Sequence, residues 1–212
     1  MYYEELCAAN AVAFLESPEY TKKKDCWKLL YKTISHHNIP FALCCSAGMY
    51  FFGIIDEYHD YDIVIRPENI DEVDELLSQI GTRVPKENNK TYFDDAYFGT
   101  FCIGGIEIDV MSEFTIITYC TRYRYSFKVE DIVRLRISKE MEIPVVPLEV
   151  QYLLYAMMSG WQAQRKFKKG LLFRYLMERD ITHAEIFEEA LNLDPPLPYW
   201  VKKDIGRMMN NR

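Results

Sequence analysis

Two short segments, Asp60-Tyr-Asp-Ile-Val-Ile65 and Ile106-Glu-Ile-Asp-Val110, alternate polar and apolar residues with a period of two. Successive side chains on a strand point to opposite faces of its sheet. Asp60 and Asp62 therefore share one face, and Tyr61, Ile63 and Ile65 share the other. Glu107 and Asp109 likewise share a face, opposite Ile106, Ile108 and Val110. If the two strands are neighbours, three or four carboxylates converge. Converged carboxylates repel and need a counter-charge. A divalent cation supplies it, and Mg²⁺ is typically held by one or two carboxylates plus substrate phosphates. Two such ions clamp the attacking and leaving oxygens of a phosphoryl displacement. A row of carboxylates is also what the solvated face of an amphipathic strand looks like, so the order of the surrounding elements has to discriminate.

That order runs as follows. Helical spacing predicts helices over 2–16 and 24–35, with Ser17-Pro18 between them. Phe41-Ala-Leu-Cys44 reads as a short buried strand. Cys45-Ser46-Ala47-Gly48 turns into a helix that carries Met49, Tyr50 and Phe52 and stops near Gly53. After the Asp60–Ile65 strand comes a helix over 70–80, capped by Gly81. Strands over 97–103 and 106–111 flank Gly104-Gly105, a hairpin-turn dipeptide. Segments 132–137 and 143–146 read as edge strands. Helices are expected over 148–159, 169–178 and 184–193, with a last one after Pro198. The fold class is α+β: a small mixed β-sheet with flanking helices, then a helical C-terminal subdomain. The boundary falls near Pro147, giving domains 1–146 and 147–212.

Composition narrows the function classes. The chain has 212 residues, 49% hydrophobic and 27% charged, which is globular rather than disordered or low-complexity. A net charge of -7 with pI ≈ 5.2 argues against a broad nucleic-acid-binding surface. Residues 1–110 hold 9 basic and 19 acidic side chains, whereas 111–212 hold 16 and 13. That asymmetry hints at a cleft between two electrostatically different halves. Cys7, Cys26, Cys44, Cys45, Cys102 and Cys120 show no metal-ligand spacing and read as reduced, mostly buried thiols of a cytoplasmic protein. Glu4 and Glu5 stand where a secretory leader carries basic residues. The apolar stretch Ile39–Ile55 is short for a membrane span and reads as core strand plus helix.

Leu43-Cys-Cys-Ser-Ala-Gly-Met-Tyr-Phe-Phe-Gly53, then Asp60-Tyr-Asp-Ile-Val-Ile65, then Ile106-Glu-Ile-Asp-Val110, resembles the nucleotidyltransferase superfamily with its polymerase-β-like fold. The likeness is nearest to bacterial minimal, antibiotic-modifying and abortive-infection-type nucleotidyltransferases. Pro147-Leu-Glu-Val-Gln-Tyr-Leu-Leu resembles the proline-led helix that opens the family's second half. The likeness spans roughly residues 40–178 and leaves the N-terminal helices unexplained. It implies that Asp60 and Asp62 ligate two Mg²⁺ ions. Asp109 would ligate one of them and help deprotonate the acceptor hydroxyl. Ser46 would contact a terminal phosphate beside the turn at Cys45. The implied reaction is transfer of a nucleotidyl group from an NTP to a hydroxyl on a small molecule, a tRNA or a protein.

Two departures point to an alternative. Cys45 replaces the turn's first glycine, and Arg165-Lys-Phe-Lys-Lys-Gly170 lacks the aspartates many relatives carry there. The alternative is a catalytically silent member of the fold that binds nucleotide or a partner protein. A DxD glycosyltransferase expects a larger domain than this chain provides. Arg165, Lys166 and Lys169, with Lys168, Arg174 and Arg179, could hold a triphosphate or simply form a solvated helix face. Tyr119, Tyr123 and Tyr125 with Arg122 and Arg124 could stack on a base or form an alternating strand with buried tyrosines.

Overall fold

The computed structural model describes residues 8–86, 92–118, 121–139, 141–160 and 162–210. Cys7, Tyr119, Cys120 and the start of the first expected helix lie outside the described residues. The chain forms two compact units: Met1–Asn88 with Asp95–Phe114 and Ser126–Val146, and Asn89–Asp94 with Thr115–Tyr125 and Pro147–Arg212. The second unit begins its long run at Pro147 and also takes up two shorter segments from upstream.

The first unit is built on a seven-stranded mixed sheet. Its strands are β1 (Phe41–Cys44), β2 (Tyr61–Ile65), β3 (Thr82–Val84), β4 (Tyr97–Ile103), β5 (Ile106–Ser112), β8 (Val133–Arg136) and β9 (Glu142–Val145), in the order β3-β4-β5-β2-β1-β9-β8. β2 runs antiparallel to β1 and parallel to β5. Gly104 and Gly105, at φ 60 and φ 84, close the β4–β5 hairpin. Positive φ at both central residues is what a two-residue hairpin turn requires. Of the two segments expected at an edge, β8 lies there, at the opposite end of the sheet from β3. β9 was expected at an edge, but it lies between β8 and β1, with Val145 beside Leu43. Ile143, Val145 and Val146 are accordingly fully buried. β3 was not expected, because Thr82-Arg-Val84 is too short to show alternation.

Helices α1 (Ala8–Glu16), α2 (Thr21–His36), α3 (Cys45–Phe51) and α4 (Ile70–Ile80) complete this unit. α2 buries Cys26, Trp27, Leu30 and Ile34 along one stripe. Its Trp27 ring lies 5.5 Å from Tyr61 and 5.9 Å from Phe41. The apolar face of β2 is therefore sealed by the N-terminal helices. α1 does more than cover: the Asn10 amide donates to the carbonyls of Tyr50 at 2.7 Å and Ile55 at 3.0 Å. This ties the end of α3 and the following loop to α1. Gly81 ends α4 for a steric reason rather than a conformational one. Its φ is -149, and a Cβ there would lie 2.6 Å from Ile103 Cγ1 and 2.8 Å from the Cys102 carbonyl oxygen.

In the second unit, α5 (Leu148–Met158) is buried along its whole length. α6 (Ala163–Met177), α7 (Ala184–Leu191) and α8 (Tyr199–Asn210) accompany it, and β6 (Phe114–Ile117) pairs with β7 (Arg122–Tyr125). α6 starts six residues before the expected 169, because its first turns are polar and show no apolar stripe. Glu149, buried within α5, accepts from the backbone N–H groups of Thr182 and His183 at 3.0 and 3.1 Å. It thereby supplies a partner for donors at the start of α7, which helix starts leave open. Among the described residues, no helix is long and apolar enough to cross a membrane.

Candidate active site

The strand pairing sets the site. Thr100 of β4 is paired with Asp109 of β5, Asp109 with Asp62 of β2, and Asp62 with Cys44 of β1. Residues paired across neighbouring strands point to the same face of the sheet. Thr100, Asp109, Asp62 and Cys44 thus form one row across four strands. Asp109 is only 7% exposed, and its Oδ1 accepts from the Thr100 hydroxyl at 2.6 Å. The Lys86 ammonium donates to Asp109 Oδ2 at 2.8 Å and Oδ1 at 3.2 Å, and to Glu107 Oε2 at 3.4 Å. Burial alone would lower the pKa of Lys86, but its bonds to Asp109 and Glu107 outweigh that and raise it. Asp60 stands in the bend that leads into β2 and is half-buried.

Asp62 and Asp109 supply oxygen donors only, in direct register, which is the ligand chemistry a hard divalent ion takes. Among the described residues no three His, Cys, Asp or Glu side chains are grouped to hold a metal.

Ser46 lies in the first turn of α3, which leaves the end of β1, and is 9% exposed. The helix begins at Cys45, which sits at φ 55. That left-handed conformation favours glycine, and a Cβ there costs about 1–2 kcal/mol. The two thiols of Cys44 and Cys45 are 3.5 Å apart. The Cys44 thiol is pushed well above its ordinary pKa by its bond to Cys45, by full burial, and by the carboxylates of Asp62 and Asp109.

The basic residues expected to help belong to the second unit. Arg165, Lys166 and Lys169 all lie on α6. Lys169 is held by Asp204, which also accepts from the Tyr152 hydroxyl at 3.0 Å, and its ammonium lies 5.2 Å from the Trp200 ring centre. The Arg165 guanidinium lies 5.7 Å from the Phe93 ring centre, and Lys166 is exposed. Tyr123 and Tyr125 are buried while Arg122 and Arg124 are exposed, so this segment is an alternating strand and not a stacking platform.

This topology recurs in solved structures. A Thermotoga maritima protein provisionally assigned as a nucleotidyltransferase superposes with a TM-score of 0.56 at 21% identity, over 77% of this chain and 96% of its own. The fold is that of the nucleotidyltransferases. ANT(2'')-Ia, solved in complex with adenylyl-2''-tobramycin, shares the nucleotidyltransferase fold with a TM-score of 0.51 at 10% identity, over 74% of this chain and 90% of its own. The solution structure of ANT(2'')-Ia matches over 74% and 85%, with a TM-score of 0.52 at 10% identity. No protein-family model matches the chain, and no curated protein matches it by sequence.

Sequence reasoning missed two members of the site. Thr100 was recoverable: a hairpin closed at Gly104-Gly105 places residue 100 opposite residue 109. Lys86 carried no signal, since it follows a three-residue strand with no readable register.

Proposed function

We propose that the chain transfers a nucleotidyl group from a nucleoside triphosphate to a hydroxyl acceptor. The observation that supports this reading is the direct pairing of Asp62 with Asp109, one strand away from the β1–α3 turn that carries Ser46. In this reading Asp62 and Asp109 position the α-phosphate. Asp109 takes the proton of the acceptor hydroxyl as its oxygen bonds to phosphorus and pyrophosphate leaves. Thr100 holds the Asp109 carboxylate in one orientation by its 2.6 Å bond. Ser46 and the N–H groups of the first turn of α3 donate to the terminal phosphate, as helix starts do for anions. Asp60 adds negative charge at the mouth of β2. A divalent ion on the Asp62–Asp109 pair would neutralise phosphate charge, which is where most catalysis of phosphoryl transfer arises. The acceptor class to test first is the aminoglycoside hydroxyl, because ANT(2'')-Ia was solved with adenylyl-2''-tobramycin.

One observation favours the alternative of a non-catalytic nucleotide- or partner-binding module: Cys45 holds the left-handed φ of 55 in the β1–α3 turn and adds a Cβ where the resemblance expects glycine. Thermal melting with Mg²⁺ and each NTP, followed by a transfer assay against aminoglycosides, separates the two. A ligand binding only the native state stabilises it by about 2.7 kcal/mol at a hundred-fold excess over Kd. The enzyme reading expects an NTP-dependent shift that Asp62→Asn abolishes. A shift that survives Asp62→Asn removes Asp62 as a ligand. Nucleotide binding without transfer or pyrophosphate release leaves the binding-module reading.

A further inference from the structure

We propose that Lys86 is a tethered counter-cation that competes with a divalent ion for Asp109, so that metal enters the site only as Lys86 swings out. The inference rests on the reading of Asp62 and Asp109 as ligands of a divalent ion and goes beyond it by naming a residue that sets how tightly that ion is held.

A buried carboxylate needs a charged or hydrogen-bonding partner. The side chain of Asp109 is 10% exposed, and Thr100 gives it a hydrogen bond but no charge. Lys86 provides the charge, with its ammonium within 3.2 Å of both carboxylate oxygens. Asp109 stands beside Asp62 in the same row of the sheet, so an ion held by both would use the carboxylate that Lys86 now occupies. A divalent ion bridging that pair and the Lys86 ammonium would place two cations against one carboxylate, and like charges at that separation repel strongly.

The geometry also gives Lys86 an exit. Its side chain is 40% exposed, and it sits two residues beyond Val84, the last residue of β3. A long flexible stem can keep its contacts while the ammonium moves to water. The carboxylate has about four lone-pair directions, so Thr100 can stay bonded to Asp109 while the cation beside it is exchanged. Lys86 therefore acts as a resident cation that keeps Asp109 compensated without metal and yields to an ion of higher charge. The 3.4 Å contact with Glu107 offers the displaced ammonium a second carboxylate on the same strand.

The experiment is titration of the whole chain with Mn²⁺ alone, read by the loss of the free-ion electron paramagnetic resonance signal. The chains are wild type, Lys86→Met, Lys86→Arg, Asp62→Asn, Asp109→Asn and Lys86→Met/Asp109→Asn. Lys86→Met should bind Mn²⁺ about ten-fold more tightly than wild type, equivalent to about 1.4 kcal/mol. Lys86→Arg, which keeps the charge, should bind like wild type. The gain should vanish in the Asp109→Asn background. Lys86→Gln gives the same sign if Lys86→Met does not fold. Equal affinity in wild type and Lys86→Met, with binding still lost in Asp62→Asn, overturns the competition and leaves the metal reading standing. Weaker binding by Lys86→Met overturns it too, by making Lys86 a support for the ion. If no chain binds Mn²⁺, or if Asp62→Asn binds as wild type does, the metal reading falls and this inference falls with it.

Discussion

Replacing Asn10 with alanine should cost about 1.5–2.5 kcal/mol of stability, and the sum can be worked from its two bonds. The bond to the Tyr50 carbonyl, 2.7 Å, is the less critical, because that oxygen also accepts from the Gly53 N–H at 2.8 Å. Losing it costs about 1 kcal/mol, the net worth of an ordinary hydrogen bond. The bond to the Ile55 carbonyl, 3.0 Å, holds the loop that leads toward Asp60. Its loss costs about 1–2 kcal/mol, since a part-buried acceptor gives up its donor. Alanine regains about 0.5 kcal/mol as a better helix former within α1. The Tyr50 hydroxyl bond to the Asn10 carbonyl survives, because that acceptor is backbone. For a chain of this size the loss lowers Tm by about 4–8 °C. Urea unfolding followed by circular dichroism measures it. Asn10→Asp should be worse than Asn10→Ala near neutral pH, because a carboxylate would face two carbonyl oxygens with nothing to donate. The gap between the two variants should shrink below about pH 4, as the aspartate takes up a proton. If Asn10→Ala unfolds within about 0.5 kcal/mol of wild type, or if Asn10→Asp matches Asn10→Ala at neutral pH, the account of α1 as the clamp on α3 is wrong.

Glu149→Ala removes the acceptor for the Thr182 and His183 N–H groups and should destabilise the second unit by about 2–4 kcal/mol; Glu149→Gln, which keeps an oxygen, should lose less. Faster amide exchange over 184–191 in the alanine variant is the readout, and unchanged exchange would sink the role. Burial pushes the Cys26 thiol from 9.0 up to about 12, with a smaller push from Cys102. The native state therefore holds that proton where the unfolded chain has released it, so this contribution to stability is full below pH 9.0 and fades as pH rises toward about 12. At pH 8 a thiol reagent should label Cys26 only after denaturant is added. Labelling of the native chain at the unfolded rate, located by peptide mass spectrometry, would contradict the burial.

Much of this fold can be read from residue order because its strands announce themselves by different signals. Tyr61–Ile65 alternates, Phe41–Cys44 is apolar throughout, and Gly104-Gly105 marks a hairpin. Each signal is local, and each element formed where it was expected. What was illegible depended on partners distant in the chain. The polar start of α6 shows no apolar stripe. β9 looks like an edge strand until β1 is seen beside it. The carboxylate pairing was legible as a conditional: alternation phases the faces of Asp62 and Asp109, but only the sheet order makes them neighbours. Lys86 was beyond reach altogether, since nothing in Thr82-Arg-Val-Pro-Lys86 tells which strand it follows. The N-terminal helices lay outside the family resemblance, and their task emerged from Asn10 and Trp27, whose partners lie far along the chain.

The parallel seam between β1 and β9 joins Leu43 to Val145, and the Val146 N–H closes it on the Leu43 carbonyl at 2.9 Å. During synthesis that seam cannot form early. Once β1 has left the ribosome, about a hundred more residues must follow before β9 does. At about 5–20 residues per second, that is a wait of roughly 5–20 s. Throughout it, Phe41-Ala-Leu-Cys44 presents one open backbone edge lined by apolar side chains, the kind of edge on which another chain can template itself. The order of translation therefore leaves the nascent first unit with a transient sticky border. Truncation upstream of Glu142 should make that border permanent, so shortened chains should aggregate where the full chain folds.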